Sequence, residues 1–266
     1  MSAQVAARRF AVLLVFLLSL ACGSATAFAQ YQADSSATAP TPWSEASLTP
    51  SPSSHEPLAP EPFGLDALPV TGGEILTKWS GVVADIRAES DILTRCREAT
   101  APCPAAAQKF LSVIADGRAH EGRARIGVIN RAINLAIRPT SDLAQWGEVD
   151  RWISPLTTLA TGRGDCEDYA IAKYVALTES GVSADDVKLI IVRDLSTGED
   201  HAIVTVRLEQ KWIALDNRRL TLLDDADMPH VLPLFALGND GVRQFAPTAI
   251  ADTTAARTPA PSSLGF

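Results

Sequence analysis

The chain has 266 residues, 47% of them hydrophobic, which is long enough for one full domain or two small ones around a sizeable core. With 23 Lys and Arg against 31 Asp and Glu, its net charge of −8 argues against a general nucleic-acid binder. Aromatic residues make up only 6%, too few to favour a base-stacking surface.

Arg8 and Arg9 precede an apolar run from Phe10 to Ala21, and Ala27-Phe28-Ala29 follows as an A-x-A cleavage site. This pattern predicts a secretory signal peptide over residues 1–29 and a periplasmic mature protein. The apolar run is short for a spanning helix. An uncleaved anchor and lipidation at Cys22 are the competing readings, although Ser19 stands where a lipobox normally has Leu. Eight of the 17 prolines then fall between Pro40 and Pro69, among Ser, Thr and Ala. That composition predicts a disordered linker over 30–65. A similar tail is expected over 248–266, leaving one folded domain over 66–247.

Thr71-Gly-Gly-Glu74 has the form of a capping box, and Ile75, Leu76, Trp79, Val82, Val83 and Ile86 follow at helical spacing. Further helices are expected around Ala105–Ala115 and from Arg123 to Ile137, the latter ending before Pro139. Residues 140–164 read as loops carrying Trp146 and Trp152. A helix then opens at Gly164-Asp-Cys-Glu-Asp168 and runs through Tyr169, with Cys166 in its first turn. Beyond Gly181 the period changes. Val187–Val192, residues 201–208 and Lys211–Asp216 read as strands, so the fold class is α+β with an antiparallel sheet.

Of the four cysteines, Cys96 and Cys103 lie close together in a polar, Pro-containing stretch, which in an oxidising compartment predicts a local disulfide. Cys166 is then the odd thiol of an exported protein and a candidate reactive group. A helix N-terminus favours its thiolate. Among the four histidines, His201 opens a strand and so has a fixed direction, which makes it the first candidate for a base. If Glu209-Gln210 is a two-residue hairpin turn, Asp216 faces Ile203 and lies diagonally across from His201 on the same side. A turn one residue longer would spoil that alignment. A cysteine at a helix start, a histidine at a strand edge and an aspartate ending a strand are each ordinary alone. Their order and geometry point to a thiol triad.

Gly164-Asp-Cys-Glu-Asp-Tyr-Ala-Ile-Ala-Lys-Tyr174, His201-Ala-Ile-Val and Leu215-Asp-Asn217 together resemble the bacterial transglutaminase-like cysteine peptidases of the LapG type. The resemblance runs from about Phe63 to Phe245. It implies a papain-like, transglutaminase-like core in which Cys166 is the nucleophile, His201 the general base and acid, and Asp216 the group that orients the imidazole. It also implies calcium, held by Asp165, Glu167 and Asp168. Three carboxylates in four positions suit a hard cation. They equally suit the positive end of a helix dipole, which is the ordinary reason for acids in a first turn. Trp152 is expected either to line the site or to pack beside it. For partners, the resemblance implies a large surface adhesin as protein substrate and an inner-membrane cyclic-di-GMP receptor that restrains the enzyme. The residues alone leave two alternatives open: acyl transfer from protein glutamine, and a non-catalytic module that senses calcium.

Overall fold

A computed structural model describes residues 61–246, and it places the helices before the sheet along the chain, as the hydrophobic periods predict. A short strand β1 (Ala67–Pro69) comes first. The helices α1 (Glu74–Arg97), α2 (Ala105–Arg118) and α3 (Gly122–Ala136) follow. Then come β2 (Arg138–Pro139), α4 (Asp142–Trp146), α5 (Pro155–Thr161), β3 (Arg163–Gly164) and α6 (Cys166–Glu179). The remainder is strand: β4 (Val187–Asp194), β5 (Asp200–Leu208), β6 (Lys211–Leu215), β7 (Leu223–Asp224), β8 (Val231–Gly238) and β9 (Gly241–Phe245). Seven strands form one antiparallel sheet in the order β1-β9-β8-β4-β5-β6-β7, while β2 and β3 pair in parallel beside it. The signal segment, residues 30–60 of the linker and the tail over 248–266 lie outside the described residues.

The core forms around α6. Every residue from Asp168 to Leu177 is buried, so this helix is enclosed on all sides rather than lying on a surface. It packs against β4 and β5 on one side and against α2, α3 and α5 on the others. Leu189, Ile191, Ala202, Val204, Val206, Ile213 and Leu215 face it from the sheet. The opposite face of the sheet carries Ile190, Val192, Ile203, Ala214 and Ala236, covered by Phe63, Leu65 and Met228. Burial on both faces explains why Leu189–Val192 reads as an unbroken apolar run.

The β5–β6 hairpin holds the register that the site depends on. Glu209 and Gln210 both adopt positive φ, 50° and 66°, the backbone that a two-residue turn matching strand twist requires. Pairing then runs from Leu208↔Lys211 to Val204↔Leu215, as expected. Continuing that register puts Asp216 opposite Ile203.

Several sequence expectations differ from the structure. The Thr71–Glu74 capping box does not form; α1 starts after Gly73, whose φ of 101° turns the chain in, and no side chain caps the helix. Residues 140–164 are not continuous loop, because α5 is anchored from outside: Glu89 of α1 accepts the Leu156 N–H at 3.0 Å and a bond from the Ser154 hydroxyl. Such long-range caps leave no local signature. Residues 61–65, expected in the linker, pack on the sheet through Phe63 and Leu65, and the Phe63 N–H donates to the Asp225 carboxylate.

Cys96 and Cys103 are disulfide-bonded with Cα atoms 5.0 Å apart, tying the last turn of α1 to the chain entering α2. Replacing both with Ser should lower the unfolding free energy by about 2–3 kcal/mol, as the short loop implies. Urea unfolding checks this, with an unchanged midpoint as the contrary result.

Candidate active site

Two parallel hydrogen bonds build the entry to α6. Arg138 N donates to Gly162 O at 2.9 Å and Thr140 N to Gly164 O at 3.0 Å. The Tyr169 hydroxyl donates to Ile137 O at 2.6 Å, holding the same segment against the helix. Asp165 is the N-cap of α6, and Cys166 is its first residue. The Asp168 side chain turns back to accept from Asp165 N at 3.3 Å and from Ile153 N at 3.2 Å. Gly164 is required by close approach: a Cβ there would lie 2.6 Å from Asp168 Oδ2 and 2.7 Å from its Cβ. Gly164→Ala should therefore displace Asp168 and shift the N-terminus of α6. We expect a lower Tm and slower alkylation of Cys166; wild-type values for both would refute this.

Cys166 is half-buried and is the free cysteine among the described residues. Its thiol donates to Glu167 Oε2 at 2.9 Å, and the Ala202 N–H beside His201 donates to the sulfur. Burial pushes the thiol pKa well up, and the Glu167 charge and hydrogen bond push it further. Burial and Glu167 thus outweigh the Ala202 N–H, which acts in the opposite direction.

His201 and Asp216 are both buried, and His201 Nε2 meets Asp216 Oδ1 at 2.9 Å. The other ring nitrogen, Nδ1, is buried without a partner among the described residues. With the proton on Nε2, Nδ1 presents a lone pair. Burial tends to raise the pKa of Asp216. Hydrogen bonds from His201 and Arg218 N, with the charges of His201 and Arg219, outweigh it and hold the carboxyl below its usual range. Cys166, His201, Asp165, Asn217 and Arg218 line one open cleft of about 380 Å³ with Pro139, Thr140 and Ser141. A larger cavity, about 620 Å³, lies elsewhere beside Lys188 and Arg207 and contains none of the expected site residues. Cys166 and His201 mark the smaller one as the site of interest.

The three expected calcium ligands do not all meet. Oxygens of Asp165 and Asp168 lie within 4.8 Å of each other and of Asp142, which the sequence reading missed. Glu167 instead sits between this group and the thiol, bonded to Cys166 and to Asp165. Burial first, and then the neighbouring charges of Glu167, Asp168 and Asp142, together raise the Asp165 carboxyl to about 9. Burial likewise lifts Asp168 to about 7 against its two backbone hydrogen bonds. Asp142 Oδ1 and Asp165 Oδ1 are buried without partners among the described residues. Hard oxygen donors with unsatisfied lone pairs fit a divalent cation.

Sequence reasoning also missed Asn130 and Asn134 of α3. Asn134 Nδ2 donates to Asp216 O and Arg219 O, both at 3.0 Å, and Asn130 Nδ2 to Leu220 O at 3.2 Å. They fix the loop that carries Asp216. Two asparagines four residues apart on an otherwise apolar helix face were the available signal. Trp152 is not in the cleft lining; it packs against the main core.

No curated protein sequence matches the chain. Among solved structures, LapG of Legionella pneumophila shares the fold in two forms. The calcium-bound form is 19% identical with a TM-score of 0.50, over 60% of this chain and 92% of that one. The EGTA-treated form is 21% identical with a TM-score of 0.50, over 60% of this chain and 86% of that one. The profile of the bacterial transglutaminase-like cysteine proteinases (BTLCP) matches residues 90–229, just over half of the chain and the part that carries Cys166, His201 and Asp216. The chain therefore belongs to the bacterial transglutaminase-like cysteine proteinase family.

Proposed function

We propose that this cysteine proteinase is an exported, calcium-dependent endopeptidase that releases a large surface adhesin from the cell. The observation that carries the chemistry is the His201–Asp216 pair, with its unpartnered Nδ1 in the same cleft as Cys166. His201 Nδ1 takes the thiol proton as Cys166 Sγ attacks a peptide carbonyl carbon. The resulting imidazolium is held by Asp216. It returns the proton to the departing amine, leaving an acyl-enzyme. Water, deprotonated by His201, then displaces Cys166 and frees the carboxyl product. The amide nitrogens at the start of α6 are donors available to the oxyanion.

For the thiol to ionise, the surrounding negative charge must be offset. Asp142, Asp165 and Asp168 would hold a calcium ion, with Glu167 beside them. Bound there, the ion supplies positive charge that opposes the carboxylates' effect on Cys166. The signal-like residues 1–29 support export to the periplasm. An inner-membrane cyclic-di-GMP receptor that restrains the protease belongs to the same reading.

Mass spectrometry of cell-surface proteins incubated with the mature protein tests this reading. New N-termini should appear with wild type in calcium, and neither with Cys166→Ala nor in chelator. Isopeptide-linked peptides and released ammonia would instead assign acyl transfer. Neither product, in protein loaded with calcium, would overturn the enzymatic reading.

A further inference from the structure

Asn217 directly follows Asp216 and shares the cleft lining with Cys166 and His201, yet no catalytic step uses it. An asparagine in a loop ordinarily serves the backbone, through a side-chain hydrogen bond to a nearby main-chain group or by adopting a left-handed φ. Asn217 does neither. Its carboxamide makes no hydrogen bond among the described residues, and its φ is not positive. Oδ1 is enclosed without a partner, whereas Nδ2, equally unpaired, is not enclosed and is the open end of the group. An enclosed acceptor with no donor costs stability, so this side chain does not serve to hold the fold together. The chain on either side of it is clamped. Arg218 N donates to Asp216 Oδ1 at 2.9 Å, Asn134 Nδ2 donates to Asp216 O and to Arg219 O at 3.0 Å each, and Asp194 holds Arg218 Nη1 at 3.0 Å. A donor carried on a fixed backbone loses little freedom when it meets a ligand.

We propose, resting on the endopeptidase reading, that Asn217 is a substrate-binding residue whose Nδ2 donates to a main-chain carbonyl oxygen of the polypeptide beside the scissile bond. The peptide carbonyl is the acceptor that every polypeptide brings, whatever its side chains. Among the described residues the cleft lining holds no large apolar side chain, so hydrogen bonds to the main chain are the grip that it offers. The enclosed Oδ1 turns Nδ2 outward, and the clamped loop keeps it in place before substrate arrives.

The test compares two reagents that alkylate Cys166 with the same reactive group, acetyl-trialanyl chloromethyl ketone and chloroacetone, on the mature protein in calcium. Only the first carries peptide carbonyls, and its methyl side chains leave recognition to the main chain. The ratio of the two rate constants therefore reads main-chain binding and cancels any change in the thiol itself. Wild type should give a ratio well above that of free cysteine. In Asn217→Ala and Asn217→Leu the ratio should fall about tenfold, the loss expected for one hydrogen bond. Both variants should melt no lower than wild type, since each removes the enclosed orphan oxygen. A wild-type ratio no higher than that of free cysteine, or a ratio that the substitutions leave unchanged because both reagents slow equally or not at all, overturns the proposal. A Tm well below wild type in both variants would assign the side chain to the fold and would overturn it too. If the ratio falls as expected while wild type yields no new N-termini from cell-surface proteins, the endopeptidase reading alone fails.

Discussion

Asp216→Asn should fold normally and lower kcat by about 10³- to 10⁴-fold. The carboxylate accepts from His201 Nε2 at 2.9 Å, which leaves the proton on that nitrogen and the lone pair on Nδ1. An asparagine amide can donate to Nε2 instead, which puts the ring proton on Nδ1, where no base is then available. Backbone effects are small because Asn134 holds Asp216 through its main-chain carbonyl, which the substitution retains. The pH profile follows from the depressed carboxyl of Asp216. Its contribution to stability is complete above the carboxylate's unfolded pKa and is lost as pH falls through the lower folded value. Wild-type stability should therefore show an acid limb that the variant lacks. Kinetics on a cleaved peptide, with thermal melts from pH 2 to pH 7, check both parts. Activity within tenfold of wild type would remove Asp216 from the mechanism.

Asp165→Asn should abolish calcium binding and flatten the pH dependence of the calcium-free protein. Asp165 and Asp168 are raised to about 9 and about 7, above the roughly 3.9 of an unfolded aspartate. A raised folded pKa means that the folded state holds protons which the unfolded state releases. The favourable contribution is thus present at low pH and is lost as pH climbs from about 4 towards 9. Because the two carboxyls titrate as a coupled group, the decline should be broad. Calcium should oppose it, and at a hundred times Kd should add about 2.7 kcal/mol, or several degrees in Tm. Titration calorimetry and melts with and without chelator measure these effects. Wild-type calcium affinity in Asp165→Asn would place the ion elsewhere.

The placement of Cys166, His201 and Asp216 in the fold was legible because it is local or set by short connections. Cys166 needs only a helix start, and the relation of His201 to Asp216 needs only the two-residue turn at Glu209-Gln210. The helix positions of α2 and α3 were legible from apolar spacing. What the sequence hid depends on distant contacts. Asp142 reaches Asp165 and Asp168 only because α4 folds back beside the start of α6. Glu89 creates α5 by capping it from another helix. Strands β1, β8 and β9 escaped notice for a related reason. The three-residue strand β1 exists only through its pairing with β9, and β8 contains Pro233 at a register shift against β4. Glu167 illustrates the opposite limit. The family resemblance implied a metal ligand there, whereas its side chain lies against the Cys166 thiol, an orientation that spacing does not encode.

The most direct test of the central claim, that His201 activates Cys166, is the rate of iodoacetamide alkylation of Cys166 against pH in calcium-loaded protein. Wild type should react near neutral pH much faster than a free cysteine, and His201→Ala should lose that advantage by at least about a hundredfold. Equal rates for the two proteins, each no faster than free cysteine, would contradict the account.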